Sequence, residues 1–173
     1  MEPTILLPDN EACLRLPGTD GKAKMSKSLG NCIYLSDSEE EVKKKIMSMF
    51  TDPNHLRMED PGQVEGNPVF IYLDACCGDE HFEKYLPEYK NLGELKAHYA
   101  RGGLGDVKVK RFLNSVLQEI LGPIRERRKE ISKDIPAVYR ILEEGSRKAR
   151  KKAAETLAAM KRAMKINYFE DKE

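Results

Sequence analysis

Apolar residues return at helical spacing through most of the second half of the chain and through little of the first 35 residues. Val109, Phe112, Leu113, Val116, Leu117, Ile120, Leu121 and Ile124 recur every three or four positions, which predicts a long amphipathic helix with Asp106 as its cap. Pro123 removes one backbone donor and is expected to kink that helix. A second long helix is predicted from Pro136, through Val138, Ile141, Leu142, Gly145, Ala149, Ala153, Leu157, Met160 and Met164. Upstream, Ser36 and Glu39 have capping-box spacing, and Val42, Ile46, Met49 and Phe50 then share one face, so a helix is expected over 36–50 with Pro53 as its stop. Two short helices are expected near 81–86 and 92–100, beside a short apolar segment at 69–73. Loops are expected at 52–67 and 101–105, where glycine and proline cluster.

The two long helices are expected to run antiparallel and, with the short ones, to make a mainly α fold: a helical bundle over 36–166. Residues 1–35 carry Pro3, Pro8, Pro17, Gly18, Gly21 and Gly30, too broken for a helix, and their apolar stretches at 5–7 and 32–35 read as the ends of strands whose sheet lies elsewhere. The tail at 167–173 is expected to fray.

Composition narrows the class. The 173 residues are 40% hydrophobic and 34% charged, with no Trp, which suits a helical, soluble, cytoplasmic protein. No apolar run approaches the roughly 20 residues of a membrane span, and the N-terminus lacks the layout of a signal peptide. Cys13, Cys32, Cys76 and Cys77 have no zinc or redox spacing, so no metal site is expected. Net charge is +1, divided unevenly: residues 1–90 carry −7 and residues 91–173 carry +8. The basic half is a candidate surface for a polyanion.

The richest chemistry lies between 16 and 31. Lys24 and Lys27 stand three apart, with Ser26 and Ser28 between and after them and Gly18, Gly21 and Gly30 around them. Lysines supply charge, hydroxyls and amides supply donors, and glycines allow close backbone approach, so a loop that closes on a polyphosphate is expected. At ordinary residue frequencies a chance match to Lys24-Met25-Ser26-Lys27-Ser28 in such a chain is roughly one in a thousand or rarer.

That string is the signature of class I aminoacyl-tRNA synthetases. Leu16-Pro17-Gly18-Thr19-Asp20-Gly21 before it and Leu29-Gly30-Asn31 after it resemble the tryptophanyl enzymes of that family, with the tyrosyl enzymes second. Thr51-Asp52-Pro53, Tyr99-Ala100-Arg101-Gly102-Gly103-Leu104-Gly105, Pro123-Ile124-Arg125-Glu126-Arg127 and the final helix extend the likeness over nearly the whole chain. The resemblance implies that 1–35 closes a Rossmann-like catalytic domain and that 36–166 is an anticodon-binding helical domain. It implies activation of tryptophan by ATP with Mg²⁺ and transfer to tRNA in a homodimeric enzyme. Lys24 and Lys27 are the implied catalytic residues, and Lys24, Met25, Ser26, Lys27 and Ser28 the implied ATP contacts. The family's His-x-Gly-His motif is missing around His55, His81 and His98, so the chain reads as the C-terminal part of such an enzyme, inactive alone. The cysteine spacing does not fit the iron–sulfur cluster of some members, and none is expected.

For RNA, the implied footprint is Lys108, Lys110, Arg111, Arg125, Arg127, Arg128, Arg147, Lys148, Arg150 and Lys151, because cations contact phosphates. Glu126, Glu130, Glu143 and Glu144 among them leave open a solvated, self-paired face. The loop at 52–57 is an alternative RNA contact. The histidines read as surface or structural residues, and Asp20 as a loop-orienting or turn residue. The readings that remain beside the synthetase fragment are a free-standing, non-catalytic tRNA-binding module and the corresponding part of a tyrosyl enzyme.

Overall fold

The computed structural model describes residues 4–22, 24–166 and 168. It is mainly helical: α1 (Glu39–Met47), α2 (Pro68–Cys76), α3 (Asp79–Tyr85), α4 (Leu92–Arg101), α5 (Asp106–Ile131) and α6 (Ile135–Ala163). Short 3-10 turns occupy Glu11–Cys13 and Lys27–Leu29. Among the described residues the 5–7 and 32–35 stretches form no strand; the only β-type pairing is an isolated antiparallel bridge between Pro17 and Lys24. No helix among them is long and apolar enough to cross a membrane.

The chain divides into two compact units, Met1–Arg125 and Glu126–Glu173. The change at 35/36 is thus a change of local structure and not a gap in packing. Tyr72 of α2 donates its hydroxyl to the Pro17 carbonyl (2.7 Å), and Asn10 donates to the Asp74 carbonyl (2.9 Å), so the loop-rich start is built onto the helices.

In α1 to α4 each helix begins where a side chain takes up free amides. The capping box of α1 is Ser38 with Glu41, two residues later than the Ser36/Glu39 pair that the spacing suggested. Asp37 decides between them: buried, it accepts from the Tyr34 amide (2.8 Å) and from Lys45 (2.5 Å) and holds the chain extended up to Ser38. The 69–73 segment is the buried middle of α2, capped by Asn67 with Pro68 in its first turn. Asn91 caps α4, and His81 Nδ1 accepts the Gly78 amide (2.9 Å) at the start of α3.

Their apolar faces meet in one core of Val42, Ile46, Val69, Phe70, Leu73, Phe82, Leu95, Tyr99, Val109, Phe112, Leu113 and Val116, all at most 3% exposed. Each such side chain contributes about 1.5–3 kcal/mol. Phe82 packs on Phe112 (4.7 Å between ring centres), and Phe70 meets Tyr99 edge-on (4.9 Å). Gly62 lies flat against the Tyr99 ring, where a Cβ would come within 2.2 Å of Cε1.

The α5 helix continues through Pro123 without interruption. Asp106 is its first residue, but its carboxylate is turned to tertiary partners, described below, and not to a cap. The second unit holds the end of α5 and all of α6. Asp134 caps α6 by accepting from the Ala137 amide (2.9 Å), with Pro136 in the first turn. The apolar stripe of α6 buries no residue. The segment 126–133 in the same unit is nearly all charged and offers only Ile131 as an apolar partner. Ion pairs Lys129–Glu126, Lys133–Glu130, Lys148–Glu144 and Lys152–Glu155 run along the surface of these helices.

Candidate functional site

The lysine-rich loop is organised by one residue, Asn31. Its side chain is buried, accepts the Ser26 amide at Oδ1 (2.7 Å), and donates through Nδ2 to Asp20 (3.1 Å) and to the Lys24 carbonyl (3.4 Å). Its carbonyl accepts the Thr19 amide (3.0 Å). One amide side chain thus ties the start, middle and end of the loop together. Gly18 makes room for it, since a Cβ there would sit 2.1 Å from Asn31 Nδ2. Gly21 (φ +68°) and Gly30 (φ +66°) take the left-handed turns on either side of the lysines.

The arrangement leaves the polar groups of the signature outward. Lys24, Lys27 and Ser28 are exposed, and Met25 and Ser26 half-buried. Among the described residues no ion pair engages Lys24 or Lys27. Ser26 and Ser28 share a hydroxyl hydrogen bond (2.8 Å). Met25 packs against the core edge, which accounts for its place between two charged residues. Lys24, Lys22 and Arg15 border an open cleft of about 320 Å³ floored by Leu16, Pro17 and Ile71. Two unpaired ammonium groups and two hydroxyls on a stapled loop suit a polyanionic ligand, because their charge is not spent within the fold.

A second site lies where the loops after α1 and α4 meet the start of α5. His55, Arg57, Met58, Tyr89, His98, Lys108 and Arg111 line a pocket of about 490 Å³. His55 is buried, its side chain 2% exposed; Nδ1 meets Asp106 (3.2 Å), the ring stands edge-on to Tyr99 (4.8 Å), and Nε2 has no partner among the described residues. Asp106 also accepts the Tyr99 hydroxyl (2.6 Å); burial, and after it this hydrogen bond, push the Tyr99 phenol well above its ordinary range. A buried polar atom left without a partner costs free energy in the empty site and is satisfied by a ligand that reaches it. Tyr89 donates to or accepts from His98 Nδ1 (2.7 Å), and Lys108 stands over its ring while pairing with Glu88 (2.5 Å), a hydrogen bond that raises the lysine's pKa. Arg111 is exposed.

The expected basic footprint therefore divides. Lys108 and Arg111 come together with the 52–57 loop in one pocket. Lys110 points the other way: buried, it donates to the Met49 (2.6 Å) and Met47 (3.2 Å) carbonyls at the end of α1, and burial lowers its pKa. Its charge is used inside the fold. Arg125 is likewise committed, to Gln118 (2.7 Å) and Glu39 (3.4 Å). Arg127, Arg128, Arg147, Lys148, Arg150 and Lys151 are exposed in the second unit, with Lys148 paired to Glu144. His55 escaped the sequence reading because its partner Asp106 is 51 positions away. Asn31 stood in the motif's flank, but nothing local marked it as the staple. Burial pushes the Cys77 thiol up to about 12 and raises Cys76 as well, so these thiols are poor nucleophiles. Among the described residues no three His, Cys, Asp or Glu side chains converge as a metal site.

A family model for class I tRNA synthetases (W and Y) matches residues 2–122. The chain belongs to that family. It is 59% identical over 169 residues to the tryptophan–tRNA ligase of Clostridium longisporum, a match covering 98% of this chain and 47% of the relative. It is 56% identical over the same length to that of Streptococcus pyogenes serotype M3, covering 48% of it. The chain thus spans about half the length of these curated relatives. Among solved structures, the tryptophanyl-tRNA synthetase of Campylobacter jejuni, complexed with ADP and tryptophan, superposes with a TM-score of 0.66 at 31% identity, over 87% of this chain and 43% of that one. The matched family region takes in both the lysine loop and the His55 pocket.

Proposed function

We propose that this chain supplies the phosphate-binding loop and the tRNA-binding helices of a tryptophan–tRNA ligase, an enzyme that activates tryptophan with ATP and passes it to tRNA in the cytoplasm. The observation that carries the reading is the pair Lys24 and Lys27, both exposed on a loop stapled by Asn31 inside the family signature. The names of the relatives at 56% and 59% identity support tryptophan over tyrosine as the amino acid.

On this reading ATP reaches the loop with Mg²⁺, which would be held mainly by phosphate oxygens and water. Lys24, Lys27, Ser26 and Ser28 are the residues that would meet the phosphates. The lysines stabilise the negative charge that grows as pyrophosphate leaves, and a preorganised donor in such a place is worth about 100-fold to 1,000-fold in rate. Met25, whose side chain is packed, contributes by holding the backbone between them. The complete enzyme is expected to be a homodimer.

The RNA reading centres on the His55 pocket. Arg57, Lys108 and Arg111 offer phosphate contacts, the half-buried His98 offers a ring, and His55 Nε2 offers a buried polar atom, while the buried Tyr89 holds His98 through its hydroxyl. That mixture suits an unstacked base with its phosphate better than a duplex, which presents no free base face. The exposed cations Arg127, Arg128, Arg147, Lys148, Arg150 and Lys151 would add salt-dependent attraction.

Adenylate formation tests the loop. In the complete enzyme, Lys27→Ala slows it by about 100-fold or more with little change in tryptophan affinity. Lys24→Ala acts in the same direction. The isolated chain gives no tryptophan-dependent exchange of pyrophosphate into ATP. A near-normal rate for Lys27→Ala removes the loop from the chemistry.

A further inference from the structure

Residues 47–55, between α1 and the His55 pocket, touch both candidate sites. At one end the Phe50 amide donates to the Thr19 carbonyl of the lysine loop (2.9 Å). The Phe50 ring lies against Gly21, where a Cβ would come within 2.9 Å of Cδ1 and 3.3 Å of the Phe50 Cβ. Gly21, at φ +68°, is the turn from which Lys24 and Lys27 follow three and six positions on.

The same segment is held by α5 at two points one helical turn apart. Lys110 Nζ donates to the Met47 and Met49 carbonyls, and Asp106 takes His55 Nδ1. Asp52 stiffens the stretch between them: its carboxylate accepts the Asn54 (2.8 Å) and Gln63 (3.0 Å) amides, and its carbonyl accepts the His55 amide (3.1 Å). Between the pocket and the lysine loop there is thus a short strap fixed at Met47, Met49, Phe50, Asp52 and His55. A buried ammonium on two carbonyls is costly to leave unpaired, so the strap and α5 move together or not at all.

Resting on the RNA reading above, we propose that Phe50 is a positioning residue for the lysine loop, and that the strap makes the loop sensitive to a single-stranded RNA segment seated at His55. A ligand that fixes His55 removes freedom from the strap. Through Phe50 it then removes freedom from Gly21 and the lysines beyond it. This coupling needs no change of average structure, only a shared loss of motion. The Phe50 ring is 41% exposed and outside the core; it lies against Gly21 on the loop side and borders a shallow cleft with Asp52, Pro53 and Gln63 on the other.

Amide hydrogen exchange in the 173-residue chain tests this, with an RNA hairpin carrying an unpaired loop as the probe and fluorescence anisotropy of the same hairpin to measure binding. The reporters are the Thr19, Gly21 and Ser26 amides, which are bonded within the loop. Saturating hairpin slows their exchange about 5-fold or more. Phe50→Ala leaves hairpin affinity and the protection of core amides on α5 unchanged while abolishing the slowing, and Phe50→Leu restores it. Binding without any change at the three amides overturns the coupling and leaves the RNA reading standing. Slowing that persists in Phe50→Ala means direct contact of RNA with the loop, and also overturns it. A folded chain that does not bind the hairpin overturns the RNA reading and the coupling with it.

Discussion

Asn31 shows how one residue can set the shape of an irregular loop. Its side chain joins Asp20, Lys24 and Ser26, and its backbone carbonyl takes the Thr19 amide, across a segment that has no regular secondary structure apart from a 3-10 turn. Replacing it with alanine strands the Ser26 amide and frees the lysines from their register. Asn31→Ala is expected to lower stability by about 1–3 kcal/mol, measured by urea unfolding, and to speed exchange of the Thr19 and Ser26 amides before the core amides respond. Equal acceleration everywhere would mean that Asn31 supports the whole unit and not the loop. The residue scale is also where the sequence was least legible. Lys24 and Lys27 declare themselves because their motif is contiguous. His55, Asp106 and Tyr99 converge from three separate segments, and Lys110 looks identical on paper to Lys108 although one is buried on carbonyls and the other open to solvent.

Elements were read more easily than their ends. The period of apolar residues in α5 is an eight-member pattern that tertiary context did not disturb, and its start at Asp106 lies where the glycines of 102–105 stop. The α1 helix was harder, because Ser36/Glu39 and Ser38/Glu41 have the same spacing and only the buried Asp37–Lys45 pair selects the second. The stripe on α6 has core-like spacing, yet no partner within its own unit covers it. Its stability as a helix therefore rests on local terms: the Asp134 cap, Pro136, and surface ion pairs worth only a few tenths of a kcal/mol each. Asp134→Ala is expected to cost about 1 kcal/mol and to show as faster amide exchange confined to the first turns of 135–163, with the first unit unaffected.

At the scale of the whole molecule, buried acids set the alkaline limit of stability. Cys77 rises from 9.0 to about 12, Cys76 rises as well, and burial raises the Tyr72 and Tyr99 hydroxyls from 10.0. The unfolded chain releases these protons near their ordinary values while the folded chain keeps them, so the folded state binds more protons there. That contribution is complete below pH 9 and is lost as pH climbs from 9 towards 12. Lys110 acts with the opposite sign, since burial lowers its pKa below 10.5 and the unfolded state then binds the extra proton. The four acids, joined by Lys84 and Lys108 whose pKa values are also raised, outweigh Lys110, so the urea midpoint is expected to fall steadily above about pH 9. Cys77→Ala should flatten part of that fall.

The central claim is that the charged and aromatic pocket at His55 is an RNA site carried on the same unit as a nucleotide-phosphate loop. A salt titration of tRNA binding to this chain tests it most directly, comparing the unaltered chain with Arg111→Ala and with the triple change of Arg147, Lys148 and Arg150 to alanine. The unaltered chain is predicted to bind with an affinity that falls steeply with salt, each neutralised phosphate adding roughly 0.7 to 0.9 to the slope of log affinity against log salt. Arg111→Ala should weaken binding and lower that slope by about one contact, and the triple variant should flatten it further. A well-folded chain whose tRNA affinity is independent of salt, or is unchanged by Arg111→Ala, would contradict the account.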